Sequence, residues 1–372
     1  MMEISYEEYY KKVLGAWIGR VAGDFVGVPV ELRSYESIKE KYGDITDYPE
    51  PIDLNQVNDD EMYEIIALLA LEKYGIELNS EQLAQEWINL LLREDNVFTA
   101  EKIALNNLKA GIRPPQSGLL NNFYFDFIGA QMRADLWGLL TPGSPQLAKN
   151  YAELDGVISH AGIGVEGEVF IATLISQAFF EENIRNNIES ALQYLPSEKE
   201  SLYTQMVKKA LEVYEKNPND FRRAREVLIQ ERWIKKFVDK AIGSSSLFPI
   251  ERSILLNTRL GAVHVLPNIG IIILSLLYGA QEEEDPFGRS ICVAAMMGYD
   301  TDCNCGNIGA LMGVQLGADK IPEKWKIPLQ DTFSTYVKGH EKWKISELAQ
   351  RIVNIGMKVI KSKAKDMVRI FK

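Results

Sequence analysis

An all-α fold is predicted by three observations on this 372-residue chain. Apolar residues recur at helical spacing through long stretches, and strand-like alternation is nearly absent. Small residues (Gly15, Gly19 and Gly23) repeat at every fourth position of a helical segment. Hydrophobic residues make up 46% of the composition, enough for a large core. No Ser/Gly-rich or Pro-rich run reads as a linker, and the chemistry-bearing motifs come from both ends. The expectation is a single compact multi-helix domain over residues 1–372, closed by its terminal regions.

Residues 6–22 carry the helical periodicity, and the glycines at i, i+4 and i+8 let another backbone approach closely. Gly23-Asp24 and Gly27-Val28-Pro29 then predict a turn ending at Glu31. Residues 32–57 are polar and turn-rich. Asn58 is placed to cap the next helix, with Glu61 as its capping-box partner. That cap leaves Asp59 and Asp60 unexplained. Residues 62–112 continue as amphipathic helices, broken at Gly75 and around Arg113-Pro114-Pro115. His160 stands ahead of a helix rich in small and apolar residues. There Gly162, Gly164 and Gly167 allow a ligand or a neighbouring helix to come close. Residues 181–245 are charged amphipathic helices of an outer layer. Residues 258–278 are apolar and glycine-punctuated, hence buried, with His264 a structural residue. Residues 298–313, GYDTDCNCGNIGALMG, read as a loop handing over to a tightly packed helix with Asp300 and Asp302 at its positive end. The remaining segments close the fold.

Composition excludes several roles. A formal net charge of −11 argues against a nucleic-acid-binding surface. The start, MMEISYEEYYKK, lacks the layout of a signal peptide. The longest apolar run, VLPNIGIIILSLLYGA, contains Pro267 and is too short to span a membrane. The final basic run, KVIKSKAKDMVRIFK, reads as a solvated helix face rather than a membrane anchor. Three cysteines (Cys292, Cys303 and Cys305) form no disulfide framework, which suits a reducing, cytoplasmic setting. Cys303-x-Cys305 lacks the usual zinc-ligand spacing.

One acid at a helix start is an ordinary cap. Two acids one residue apart at 300 and 302, and an adjacent pair at 59 and 60, look like halves of a divalent-cation site. If these carboxylates converge, their repulsion must be relieved by protons or cations. Oxygen ligands without a His–Cys pattern favour a hard ion, Mg²⁺, with Ca²⁺ or Mn²⁺ as alternatives.

The ordered set of motifs is more specific than any one of them. An early GxxxGxxxGDxxGxPxE, an acid pair opening a helix and a late GxDTDxN with a Gly/Ala helix resemble the ADP-ribosylglycohydrolase family over most of the chain. The resemblance implies that family's all-α fold and one or two metal ions held by Asn58, Asp59, Asp60, Asp300 and Asp302. It implies cleavage of an N- or O-glycosidic bond of an ADP-ribosyl or related ribofuranosyl substrate, small or attached to a macromolecule. Glu31 or Asp302 would manage the proton. Gly129 and Arg133 fall where the family has its phosphate loop and the helix after it. Arg133 is placed to pair either with phosphate or with a buried carboxylate such as Asp135. His160 is either a ribose contact or a capping and packing residue, and Gly164 belongs to the same substrate-side segment.

Three departures accompany the resemblance. Asn58 and Glu61 stand where the family has threonines, and Asp126-Phe127-Ile128-Gly129 where it has a Gly-Asn-Gly turn. Cys303 replaces a threonine ligand, and a thiol is a poor partner for a hard ion. Together they point toward a related ribosyl or glycosyl hydrolase with a substrate other than protein-linked ADP-ribose. The competing readings are a catalytically silent binding or structural protein of the same fold, and a metal-free glycosidase using Glu31 and Asp302.

Overall fold

The computed structural model describes residues 1–91, 96–229 and 259–371. Among them are eighteen α-helices and four short strands, an all-α architecture as the periodicity predicts. Seven helices position the site: α1 (Tyr6–Gly27), α2 (Asp60–Tyr74), α3 (Thr99–Lys109), α4 (Ile163–Ala178), α5 (Val265–Gly279), α6 (Thr301–Leu316) and α7 (Ile345–Lys363). Residues 92–95 and 230–245, which the sequence places in amphipathic helices, lie outside the described residues.

The axis of the molecule is α1 packed antiparallel on α6. Gly15 lies against Gly313, Gly19 against Gly309, Gly23 against Cys305, and Gly27 against the backbone of Thr301 and Asp302. A Cβ on Gly19 would sit 2.0 Å from the Gly309 carbonyl oxygen, so the four-residue glycine repeat is what allows the two backbones to touch. Because the helices run in opposite directions, the end of α1 meets the start of α6, and the acids at those two points become neighbours.

Ser5 caps α1 by accepting from the Glu8 N–H at 3.0 Å. The helix runs on to Gly27, past the turn expected at Gly23-Asp24. Asp24 is therefore a buried helical residue and not a solvated loop acid. The physical reason is the glycine ridge, which stays in register with α6 at four successive positions and holds the backbone helical. Counted with the short turn after it, this segment (Tyr6–Val30) is long and apolar enough to cross a membrane, although charged residues interrupt its apolar run. Its apolarity has another use here, since 72% of its most apolar window is buried inside the protein.

Around this pair lies α5, buried over its whole length, as a helix apolar on every face must be. His264 caps α5, its Nδ1 accepting from the Leu266 N–H at 3.2 Å, so its structural reading holds. The four strands are β1 (Met2–Ser5), β2 (Thr332–Ser334), β3 (Lys342–Lys344) and β4 (Val368–Phe371). β2 and β3 form a small antiparallel pair, whereas β1 and β4 pair in parallel with Met2 opposite Val368. The basic C-terminal run thus ends α7 at Lys363 and then turns into a strand, a departure from the continuous helix face expected there.

Candidate active site and metal centre

Local backbone chemistry fixes the late acid pair. Gly298 and Tyr299 both adopt positive φ, 78° and 75°, and for tyrosine that is a strained choice that surrounding contacts must hold. The Tyr299 carbonyl accepts from the Leu32 N–H at 3.0 Å, tying this loop to the Glu31 segment. Thr301 Oγ1 donates to the Gly27 carbonyl at 2.7 Å, which pins the start of α6 to the end of α1. Asn268 of α5 accepts through Oδ1 from the Asp300 N–H at 3.2 Å and from Asn304 Nδ2 at 2.7 Å. The threonine of the Asp-Thr-Asp motif is thus a clasp, and the two aspartates point to one place.

The early acid pair arrives from α2. Asp60 opens that helix and Asp59 precedes it without making a side-chain cap. The capping box expected from Asn58 and Glu61 does not form. Asn58 Oδ1 instead accepts from the Asp59 N–H at 2.9 Å, and Glu61 is buried beside Asp24, whose carboxyl is raised by burial first and by the Glu61 charge next.

These segments enclose a cavity of about 390 Å³, within the roughly 300–1,000 Å³ usual for small-molecule sites. Glu31, Asp59, Glu101, Asp300 and Asp302 line it, with Asn58 and Cys303 between them. Phe98, Phe127, Ile128 and Met132 supply apolar wall. Among the described lining residues there is no lysine or arginine. Asp60 stands just behind, its Oδ2 accepting from Arg20 Nη2 at 2.7 Å and its Oδ1 facing Cys303 Sγ at 3.4 Å. Arg20 also donates to Asp135 Oδ2 at 2.9 Å and lies near Asp24 and Glu64, one buried cation among four carboxylates.

Such crowding is unfavourable without a counter-charge. Burial, followed by the charge of Asp302, pushes the Asp59 and Asp300 carboxyls well above the usual range. Asp60 is pushed the same way by burial, although Arg20 opposes it. Asp302 is 5% exposed and its Oδ1 has no hydrogen-bond partner. Ligand atoms of Asp300, Asp302 and Cys303 all lie within 4.8 Å of one another. A buried orphan carboxylate oxygen among other acidic donors fits a divalent cation.

The residues expected on the substrate side divide. Gly129 does line the cavity, and a Cβ there would fall 1.8 Å from Glu101 Oε1, so the glycine makes room for that acid. Arg133 is 1% exposed and does not reach the cavity. Its partners are Asp155 Oδ1 and Glu101 Oε1, each at 3.1 Å, and Ser159 Oγ at 3.0 Å. Of its two readings, the buried carboxylate is the one realised, with Asp155 and Glu101 in place of Asp135, which Arg20 takes. His160 is likewise buried behind Glu101, its Nδ1 2.8 Å from Ser159 Oγ and its Nε2 3.9 Å from Glu101 Oε1. Burial and then the Arg133 charge hold it neutral. Gly164 is a packing position, where a Cβ would meet the Phe125 carbonyl oxygen at 2.4 Å. Asp126, placed beside the expected phosphate loop, turns to His264, with Oδ2 3.5 Å from Nε2, and leaves the cavity wall to Phe127, Ile128 and Gly129.

Glu101 is the functional candidate that reading the sequence missed. It sits in the first turn of α3, lines the cavity, and is pushed up to about 7 by burial despite the lowering effect of Arg133. A signal was present: Glu101, Ala104, Leu105 and Leu108 share one helical stripe, and an acid on an apolar stripe needs a buried partner.

An all-helical frame with a carboxylate-lined cavity where two glycine-packed helices meet defines the class of protein. The family profile described as ADP-ribosylglycohydrolase matches residues 5–359, and the chain belongs to that family. It is 24% identical over 351 residues to an uncharacterized protein of Archaeoglobus fulgidus, covering 92% of this chain and 96% of that one. Among solved structures it resembles a chain of an ADP-ribosylglycohydrolase-related protein complex, with a TM-score of 0.52 and 17% identity over 94% of this chain and 100% of the other. At that identity the likeness speaks for the fold.

Proposed function

We propose that the protein is a metal-dependent glycohydrolase that cleaves an ADP-ribosyl or related ribofuranosyl N- or O-glycosidic bond. The observation that carries this reading is the convergence of Glu31, Asp59, Glu101, Asp300 and Asp302 on one cavity, with Asp302 Oδ1 left unpartnered. Asn58, Asp59, Asp60, Asp300 and Asp302 would hold one or two ions, Mg²⁺ being the family's expectation. A bound ion supplies charge for orienting vicinal ribose hydroxyls and a water near the anomeric carbon.

In the hydrolysis proposed, the anomeric carbon loses its bond to the leaving nitrogen or oxygen and gains one to water oxygen. The water's proton passes to a carboxylate, and the leaving group takes one from a carboxylic acid. Glu31 and Asp302 are candidates for the first role. Glu101, raised to about 7 by burial and facing the same cavity, can both hold and release a proton near neutral pH and suits the second. Arg133 and His160 are positioning residues behind Glu101. With no cationic side chain among the described lining residues, the reading rests on the ribosyl group rather than on a diphosphate arm.

The test is hydrolysis of ADP-ribosyl conjugates, nucleosides and small ribosides, each with Mg²⁺ and with chelator. Turnover that requires the metal supports the proposal. Turnover that survives complete chelation would favour a metal-free glycosidase, and metal-dependent ADP-ribose binding without turnover a silent binding protein.

A further inference from the structure

We propose that Cys303 is itself a ligand of the metal centre. One ion position then takes a borderline divalent ion that accepts thiolate, Zn²⁺ above all, in place of Mg²⁺. This rests on reading the acid cluster as a cation site and deepens it.

Three observations on different atoms agree. The ligand atoms of Asp300, Asp302 and Cys303 lie within 4.8 Å of one another, and all three residues are buried. A tetrahedral zinc, with Zn–S about 2.3 Å and Zn–O about 2.0–2.2 Å, keeps its ligand atoms roughly 3.5 Å apart. Modest side-chain adjustment therefore closes these three on one ion. Cys303 Sγ also lies 3.4 Å from Asp60 Oδ1, the oxygen that Arg20 does not take, which offers a fourth donor. Lastly, Asp302 lines the cavity, is 5% exposed, and its buried Oδ1 has no hydrogen-bond partner.

The neighbourhood is chemically soft. Met132 Sδ stands 3.8 Å from Cys303 Sγ, and both residues line the cavity. Mg²⁺ demands octahedral oxygen ligands, and a thiol in that shell occupies a position Mg²⁺ does not use. Mixed oxygen and thiolate donors suit Zn²⁺ and Co²⁺. The Cys303-x-Cys305 pair does not chelate together, because Cys305 Sγ turns to the Ile291 carbonyl at 3.2 Å. That is why the spacing of the cysteines fails as a zinc signal while one of them joins carboxylates from distant segments. On binding, the Cys303 S–H bond is broken, an S–metal bond forms and the proton leaves to solvent, with no change in oxidation state.

The experiment titrates Co²⁺, and separately Cd²⁺, into the full-length protein after chelator treatment, following near-ultraviolet thiolate-to-metal charge transfer. Calorimetry with Zn²⁺ and Mg²⁺ runs alongside. The wild type is expected to develop the band and to bind Zn²⁺ more tightly than Mg²⁺. Cys303→Thr should lose the band, and its Zn²⁺ affinity should fall by more than the roughly 10–100-fold that loss of an outer partner costs. The double variant Cys292→Ser, Cys305→Ser leaves Cys303 as the one thiol and should keep the band, which secures the test if Cys303→Thr does not fold. Co²⁺ binding without charge transfer, or a band unchanged in Cys303→Thr, would overturn the proposal while leaving the cation site standing. Failure of Mg²⁺, Zn²⁺ and Co²⁺ alike to bind would remove the metal centre itself.

Discussion

At the scale of single residues, acids face the cavity, while Arg133 holds one of them, Glu101, from behind and Arg20 holds Asp60 at its back. Asp302→Asn keeps the shape of the side chain and removes its charge. Metal-dependent turnover should fall by at least about 100-fold with far-ultraviolet circular dichroism unchanged; wild-type turnover in this variant would show that the centre is misplaced. Glu101→Gln should lower kcat by roughly 10²–10⁴-fold and erase the ionisation near pH 7 from the kcat/KM profile. An unaltered profile would assign that proton elsewhere. The aspartates at 59, 60, 300 and 302 were legible because paired acids at helix starts exceed what capping requires. Glu101 was legible only as an acid on an apolar helical stripe; its role was not, because it depends on Arg133, 32 residues further on, and periodicity does not identify such a partner. For the same reason the sequence left Arg133 and His160 open between a substrate contact and a buried structural role, and the structure sets both behind Glu101.

At the scale of elements, the α1–α6 pair determines whether a site exists. Gly309→Ala would drive a Cβ to 2.0 Å from the Gly19 carbonyl oxygen, backbone against backbone with no side chain able to yield. We expect a loss of about 3 kcal/mol or more, read as a lower urea midpoint, together with weaker metal binding. A variant as stable as wild type would mean that the helices separate without cost. The glycine spacing was legible in α1 and the small-residue content in α6, yet the antiparallel match of Gly15 with Gly313 is set by three-dimensional packing. Boundaries were less legible than contents. α1 outruns its expected end because α6 continues to support it, and the Asn58–Glu61 box gives way because Glu61 is drawn inside beside Asp24.

At the scale of the whole molecule, the described residues bury more carboxylates than cations, and stability should depend on pH and metal together. Burial raises Glu101 from an ordinary 4.5 to about 7 and Asp135 from 3.8 to about 6, the latter against the opposing Arg20 charge. Raised carboxyls favour the folded state while protonated. Their contribution is complete at low pH and is lost as pH climbs through these folded values, on the order of 3 kcal/mol for Glu101. The Tm of chelator-treated protein should therefore fall between about pH 5 and pH 8, and divalent cation should restore more of it at the upper end, where protons no longer compete. A Tm that rises over this range would contradict the assignment. The clasp between Thr301 and Gly27 also has a consequence in time. Its two ends are 274 residues apart, and at roughly 5–20 residues per second a ribosome needs roughly 14–55 s to travel from one to the other. Throughout that interval the glycine ridge of α1 has no partner, and Arg20 and Asp24 wait beside it in a nascent chain. The proposed cation site would be assembled only after α6 has been made, so capture of an ion would mark a polypeptide whose synthesis has passed that helix and whose first helix has found it.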